Sequence, residues 1–196
     1  GSGEDYLEKV IQMPIQIPDI NRSTLRNILL YRLDEILKRH NDANFLDIRW
    51  RNIYIYCIDP FINNIRDINR LCNSVEFKLT AISGEVDFTD MVAITALEIG
   101  MPSVYSWVKN NRCVLTGDID PFMLSFKNKK PEEWYEIYEK ELLETSPNIQ
   151  VNISAKKDVE LALKCLSHIF PCFGQKIGKT YEAYSQDVLR KNNQIA

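Results

Sequence analysis

Apolar residues recur at helical spacing through most of the chain. Leu25, Ile28, Leu29, Leu33, Ile36 and Leu37 mark one face of a helix, and the run closes on Lys38, Arg39 and His40, where the helix dipole favours cations. From Asn64 onward, Ile65, Ile68, Cys72, Val75 and Leu79 form a seam expected to face a core, with Arg66, Arg70, Asn73 and Phe77 on the adjacent stripe. Ser83 and Gly84 end that helix. Asp87 is placed to cap the next one, in which Val92, Ala93, Ala96, Leu97 and Ile99 are apolar nearly all round, the pattern of a buried centre. Gly100 terminates it and Pro102 opens the short SVYSWVKNN. Pro131 starts PEEWYEIYEKELLE, with acidic residues in its first turn and a stripe of Trp134, Ile137, Tyr138 and Leu142. A last helix is expected from a Ser154 cap through Val159, Leu163, Leu166 and Phe170, stopping before Pro171.

Three stretches break the rhythm. Behind an amphipathic opening at residues 5–11, residues 12–18 alternate polar and apolar side chains around two prolines, as a short edge strand or extended segment would. Residues 45–59 are aromatic and β-branched (Trp50, Ile53, Tyr54, Ile55, Tyr56) and read as a candidate strand among helical neighbours. Residues 173–196 are polar and poorly periodic, so irregular structure or a frayed helix is expected there.

Composition narrows the function classes. The 196 residues, 45% hydrophobic, suffice for a buried core in one domain or two small ones. A net charge of −3 without a long Lys/Arg cluster argues against nucleic-acid binding as the main purpose. No stretch approaches the ~18 to 20 apolar residues of a membrane span, and no secretory signal peptide opens the chain. Cys57, Cys72, Cys113, Cys165 and Cys172 fit reduced thiols better than a disulfide framework, so a cytoplasmic location is expected. Residues 1–3, Gly-Ser-Gly, are expected to be a cloning remnant.

The candidate chemistry centres on Arg66 and Arg70. With Asn64 as N-cap, Arg66 lies in the first turn, where unpaired N–H groups and the helix dipole already favour an anion. Arg70 shares its face, and two like charges at i,i+4 call for a carboxylate or phosphate nearby. Asp67 is the local alternative, giving an ordinary surface helix with salt bridges. Two other patterns fall short. Gly178-Lys179-Thr180 ends like a phosphate-binding loop, but the preceding Gly174 is one residue too close and no hydrophobic strand leads in. Cys165, His168 and Cys172 could gather at a helix end, yet zinc wants four ligands and the other histidine, His40, is distant, so a packed Cys and His are expected and no metal. No nucleophile sits beside a base.

Taken in order, EDYLEKVIQMPIQIP, NIRDINRLCN, GEVDFTDMVAITALEIGMPSVYSWV and LALKCLSHIFPCF resemble the C-terminal half of a KAP-family P-loop NTPase over residues 4–173. That family includes neuronal ankyrin-repeat membrane scaffolds and bacterial phage-exclusion proteins. The resemblance implies a mainly α fold: a multi-helix lid bundle with a short N-terminal extended segment left from an α/β P-loop core. It implies that residues 4–18 end the core, residues 19–145 form the lid, and residues 146–196 form a C-terminal helical segment and polar tail. The Walker segments would lie upstream and a family-like ending would run past Ala196. No cofactor is then expected in this chain, with ATP and Mg²⁺ bound by the intact protein. Its partners would be the remainder of the NTPase core and a protein partner. Arg66 matches the position of a lid arginine that senses the terminal phosphate, with Arg70 as backup. The rival expectation is a stand-alone helical interaction module that docks a protein through exposed Trp107, Trp134 and Tyr138. Solvent-facing arginines without a carboxylate partner would favour the lid; pairing by Asp67 would favour the module.

Overall fold

The computed structural model describes residues 20–40, 43–45, 47–117, 129–145 and 153–179. Among them the chain is helical, in the order α1 (Arg22–Arg39), α2 (Asp47–Ile53), α3 (Ile65–Ile82), α4 (Phe88–Gly100), α5 (Pro102–Asn110), α6 (Arg112–Thr116), α7 (Pro131–Thr145), α8 (Ile153–Ile169) and α9 (Pro171–Lys176). The extended segment expected at residues 12–18 lies outside the described residues. The one extended pairing within them is an isolated parallel bridge between Asn44 and Asp87, so the fold is the expected mainly α, multi-helix bundle. No helix among the described residues is long and apolar enough to cross a membrane.

Local chemistry sets most of the helix ends. Asn21 caps α1 through Thr24 N–H, 2.8 Å, and Asp87 caps α4 through Asp90 N–H, 3.2 Å; each side-chain oxygen satisfies a donor that the first turn leaves orphaned. Pro102, Pro131 and Pro171 sit at first helical positions, where the missing N–H costs nothing. Helix α8 begins at Ile153, so Ser154 falls inside its first turn rather than before it.

Helix α4 is the centre. Val92, Ala93, Ala96 and Leu97 are buried, and α3, α5, α2, α8 and the turn after α2 all pack against it. Fully burying a Val or Leu side chain stabilises by about 1.5–3 kcal/mol, and the small Ala93 and Ala96 let neighbouring helices approach.

Residues 45–59 are not a strand. Helix α2 runs into a π-helical turn, Tyr54–Ile58, and a 3₁₀ turn, Asp59–Phe61, with the Asp59 N–H reaching back five residues to the Tyr54 carbonyl. The buried positions explain the outcome: Arg49, Ile53, Tyr54, Cys57 and Ile58 recur at helical spacing and pack on α4 and α8. Burial of that face overrides the β preference of the individual residues. Residues 173–179 also depart from expectation, since Phe173, Gly174 and Ile177 are buried in and just after α9. Residues 180–196 lie outside the described residues.

Candidate nucleotide-facing site

Helix α3 is held on both flanks. On one side α1 runs alongside in the same direction: the Arg22 guanidinium donates to the Asp59 and Ile62 carbonyls, 3.0 Å each, Arg32 donates to Asn69, and Arg39 pairs with Glu76 at 2.7 Å. On the other side Lys78 reaches α4, donating to Thr95 Oγ1 at 3.1 Å and pairing with Glu98. Ile68, Leu71, Cys72, Val75 and Leu79 face inward. With about 100° per residue, Arg66, Arg70, Asn73 and Phe77 fall opposite that buried seam rather than merely beside it. All four are exposed.

The start of α3 is a reciprocal cap. Asn64 Oδ1 accepts from the Asp67 N–H, 3.1 Å, while Asp67 Oδ2 accepts from the N–H groups of Asn63, 2.9 Å, and Asn64, 3.2 Å. This is the capping-box arrangement with Asn and Asp in place of Ser and Glu. Asp67 is thereby turned toward backbone donors and away from the arginines. Among the described residues neither Arg66 nor Arg70 forms an ion pair; the salt bridges of this region use Arg22, Arg39 and Lys78. The arrangement suits a ligand: two permanently charged, planar donors one turn apart beside a helix N-terminus can fork the oxygens of a phosphate or carboxylate.

Two of the three aromatics of the rival reading, Trp107 and Tyr138, are not exposed for docking. Trp107 and Tyr138 are buried and Trp134 is half-buried. They stack with Phe173 in one cluster, with ring centroids 5.9 Å apart for Trp107–Tyr138, 5.7 Å for Trp134–Tyr138 and 5.2 Å for Tyr138–Phe173. Trp107 Nε1 donates to Glu141. Burial, reinforced by the nearby Glu141 carboxylate, pushes the Tyr138 hydroxyl well above its usual range.

The two short motifs also resolve into structure. Gly178 has φ +68°, its N–H donates to the Gln175 carbonyl, 3.2 Å, and the Lys179 N–H donates to the Gly174 carbonyl, 2.8 Å. These are the paired bonds of a Schellman helix end. Cys165 and His168 are buried on α8, whereas Cys172 is exposed. The His168 ring stacks on Tyr56 at 4.6 Å, and burial, then Lys164 and Arg49, push its pKa down to about 4. Among the described residues no three His, Cys, Asp or Glu side chains gather as a metal site would require.

The residue that the strand reading hid is Arg49. It is 8% exposed, meets Asp90 of α4 with Nη1 to Oδ2 at 3.0 Å and Nη2 to Oδ1 at 2.7 Å, and donates to the His168 and Ile169 carbonyls at the end of α8. Desolvation raises Asp90 above the usual carboxylate value, with the Arg49 charge opposing it. In helical register Arg49 shares a face with Ile53 and Cys57, a pattern that would have flagged it. Arg49 thus ties α2, α4 and α8 together.

The description "KAP family P-loop domain" matches residues 1–80. The match takes in α1, α2, the π turn and α3 almost to its end, Arg66, Arg70 and Phe77 included. It spans less than half of the 196 residues. No curated protein and no solved structure matches the chain.

Proposed function

We propose that this chain is the lid region of a KAP-type P-loop ATPase, in which Arg66 contacts the terminal phosphate of bound ATP and couples the nucleotide state to the rest of the protein and its partners. Arg70 stands behind it as a second donor. The observation that supports this reading is the pair of exposed arginines at the start of α3, with Asp67 drawn away into the cap. The KAP-family match over the same helix supplies the nucleotide context. On this reading the phosphate loop and the Mg²⁺ ligands belong to the core, which brings ATP to the arginines. The chain's own part is to hold Arg66 in the first turn of a helix clamped by α1 and α4. A guanidinium placed there adds a planar fork of donors and a fixed positive charge where negative charge gathers.

The test is turnover and melting temperature on the same preparations of the intact protein and its variants. Arg66→Ala is expected to leave melting nearly unchanged, because an exposed arginine contributes little by itself, and to lower turnover by ~10-fold or more, up to the ~10³ of a fully engaged arginine. Arg66→Lys should rescue poorly, since a point charge cannot reproduce the fork. A variant that melts early yet hydrolyses normally would overturn the assignment.

A further inference from the structure

Phe77 is 80% exposed, more than any other large hydrophobic side chain among the described residues. One exposed phenylalanine is unremarkable in isolation, but its position is not isolated. It stands on the same outward stripe as Arg66, Arg70 and Asn73, about 16 Å along the helix from Arg66. The flanks of α3 are already committed, to α1 through Asn69 and Glu76 and to α4 through Lys78. The helix therefore cannot roll to bury the ring. The carboxylates that might neutralise the stripe are also engaged, Asp67 with the cap and Glu76 with Arg39. What remains is a face with two cations at its N-terminal end, the Asn73 amide in the middle and a bare aromatic ring at its C-terminal end. All of it falls within the stretch matched to a P-loop domain.

We infer that this stripe is the surface on which α3 meets the nucleotide-loaded core of the same protein, with Phe77 seated in an apolar depression of the core about 16 Å from the phosphate that the arginines face. The inference rests on the lid reading and adds a second contact to it. Charge selects this occupant. The partner surface must offer anionic oxygens at one end and an apolar socket at the other, which a phosphate-loaded core satisfies. A second copy of the chain laid alongside in the same direction would bring two cationic stripes together. Two contacts this far apart fix the helix's orientation as well as its position, so the arginines can respond to the nucleotide without the lid detaching.

The experiment places 4-fluorophenylalanine at position 77 and reads the fluorine resonance in water and in D₂O, in the 196-residue chain and in the intact protein with a non-hydrolysable ATP analogue. The expected result is a solvent isotope shift near that of a free side chain in the short chain, reduced at least ~5-fold in the intact protein. An unreduced shift in the intact protein, with and without the analogue, would overturn the docking. So would a shift in the short chain that disappears as concentration rises, which would assign the stripe to self-association. The two readings fail separately. If the ring is covered while Arg66→Ala hydrolyses normally, the docking stands and the sensor falls; if the ring stays exposed while Arg66→Ala is inactive, the reverse holds. Phe77→Ser should leave the melting temperature of the short chain within a few degrees, as expected of an exposed position, so loss of closure in the intact protein would not reflect misfolding.

Discussion

Asn64 and Asp67 cap each other: the amide oxygen of Asn64 takes the Asp67 N–H and the carboxylate of Asp67 takes the N–H groups of Asn63 and Asn64. The exchange satisfies orphan donors at the start of α3 and also removes the nearest carboxylate from Arg70. A double-mutant cycle separates this from an Asp67–Arg70 salt bridge. Asp67→Ala should cost about 1 kcal/mol as a lost cap, Arg70→Ala close to nothing, and the double variant their sum to within ~0.3 kcal/mol. A coupling of 0.5 kcal/mol or more, read from denaturation midpoints, would show that the two side chains do pair.

Arg49 and Asp90 differ in their access to water, with side chains 10% and 37% exposed. Removing either breaks the pair, but the group left behind decides the cost. Asp90→Ala strands a buried guanidinium without its carboxylate, so a loss of ~3–5 kcal/mol is expected. Arg49→Met leaves a carboxylate that water can reach and should cost less, ~1–3 kcal/mol. Chemical denaturation of the two variants checks the order, and a larger loss from Arg49→Met would contradict it.

The readable parts of this fold are those where local chemistry and burial agree. Asn64, Asp87, Pro102 and Pro131 mark helix starts, and the seam from Ile68 to Leu79 is buried as its spacing predicts. Residues 45–59 were illegible because the same side chains satisfy a strand by type and a helix by spacing, and only packing on α4 and α8 decides between them. The exposure of Trp107 and Tyr138 was misread for a related reason: an amphipathic stripe shows that a face is apolar, not what covers it, and here Phe173 from the supposedly irregular tail completes the cluster. The arginine stripe was visible in sequence, but the diversion of Asp67 into the cap was not, because a carboxylate three residues from both an N-cap and an arginine can serve either.

Stability should depend on pH through His168. Its pKa falls from 6.5 to about 4 on folding, so between those values the unfolded chain binds the proton and the folded chain does not. The contribution is whole above pH 6.5 and is lost as pH falls toward 4, with a slope of at most about 1.4 kcal/mol per pH unit. Asp90 acts the other way: its raised pKa favours the folded state at low pH and that contribution is lost as pH rises through its folded value. In His168→Phe, which keeps a ring against Tyr56, the loss of stability between pH 6.5 and 4 should flatten. A slope unchanged from the parent chain, measured by denaturation at each pH, would place the titration elsewhere.

Gly174, Gly178 and Lys179 offer a direct contrast between a helix end and a phosphate loop. At Gly178 the positive φ makes a side chain strained, and Gly178→Ala should cost about 1 kcal/mol. At Gly174 an added Cβ would lie 2.9 Å from the Ser167 and Lys179 carbonyl oxygens, both backbone atoms that cannot swing aside, so Gly174→Ala should cost ~1–3 kcal/mol. Lys179 contributes its N–H to the turn, which alanine retains, and its ammonium lies over the Tyr135 ring at 5.2 Å. Lys179→Ala should therefore cost no more than the ~0.5–1 kcal/mol of an exposed cation–π contact. A phosphate loop would demand the reverse, with the lysine decisive for nucleotide. Calorimetry on the 196-residue chain should accordingly detect no micromolar ATP affinity, with or without Lys179. Binding at that level that Lys179→Ala abolishes would mean that this helix end is a nucleotide site after all.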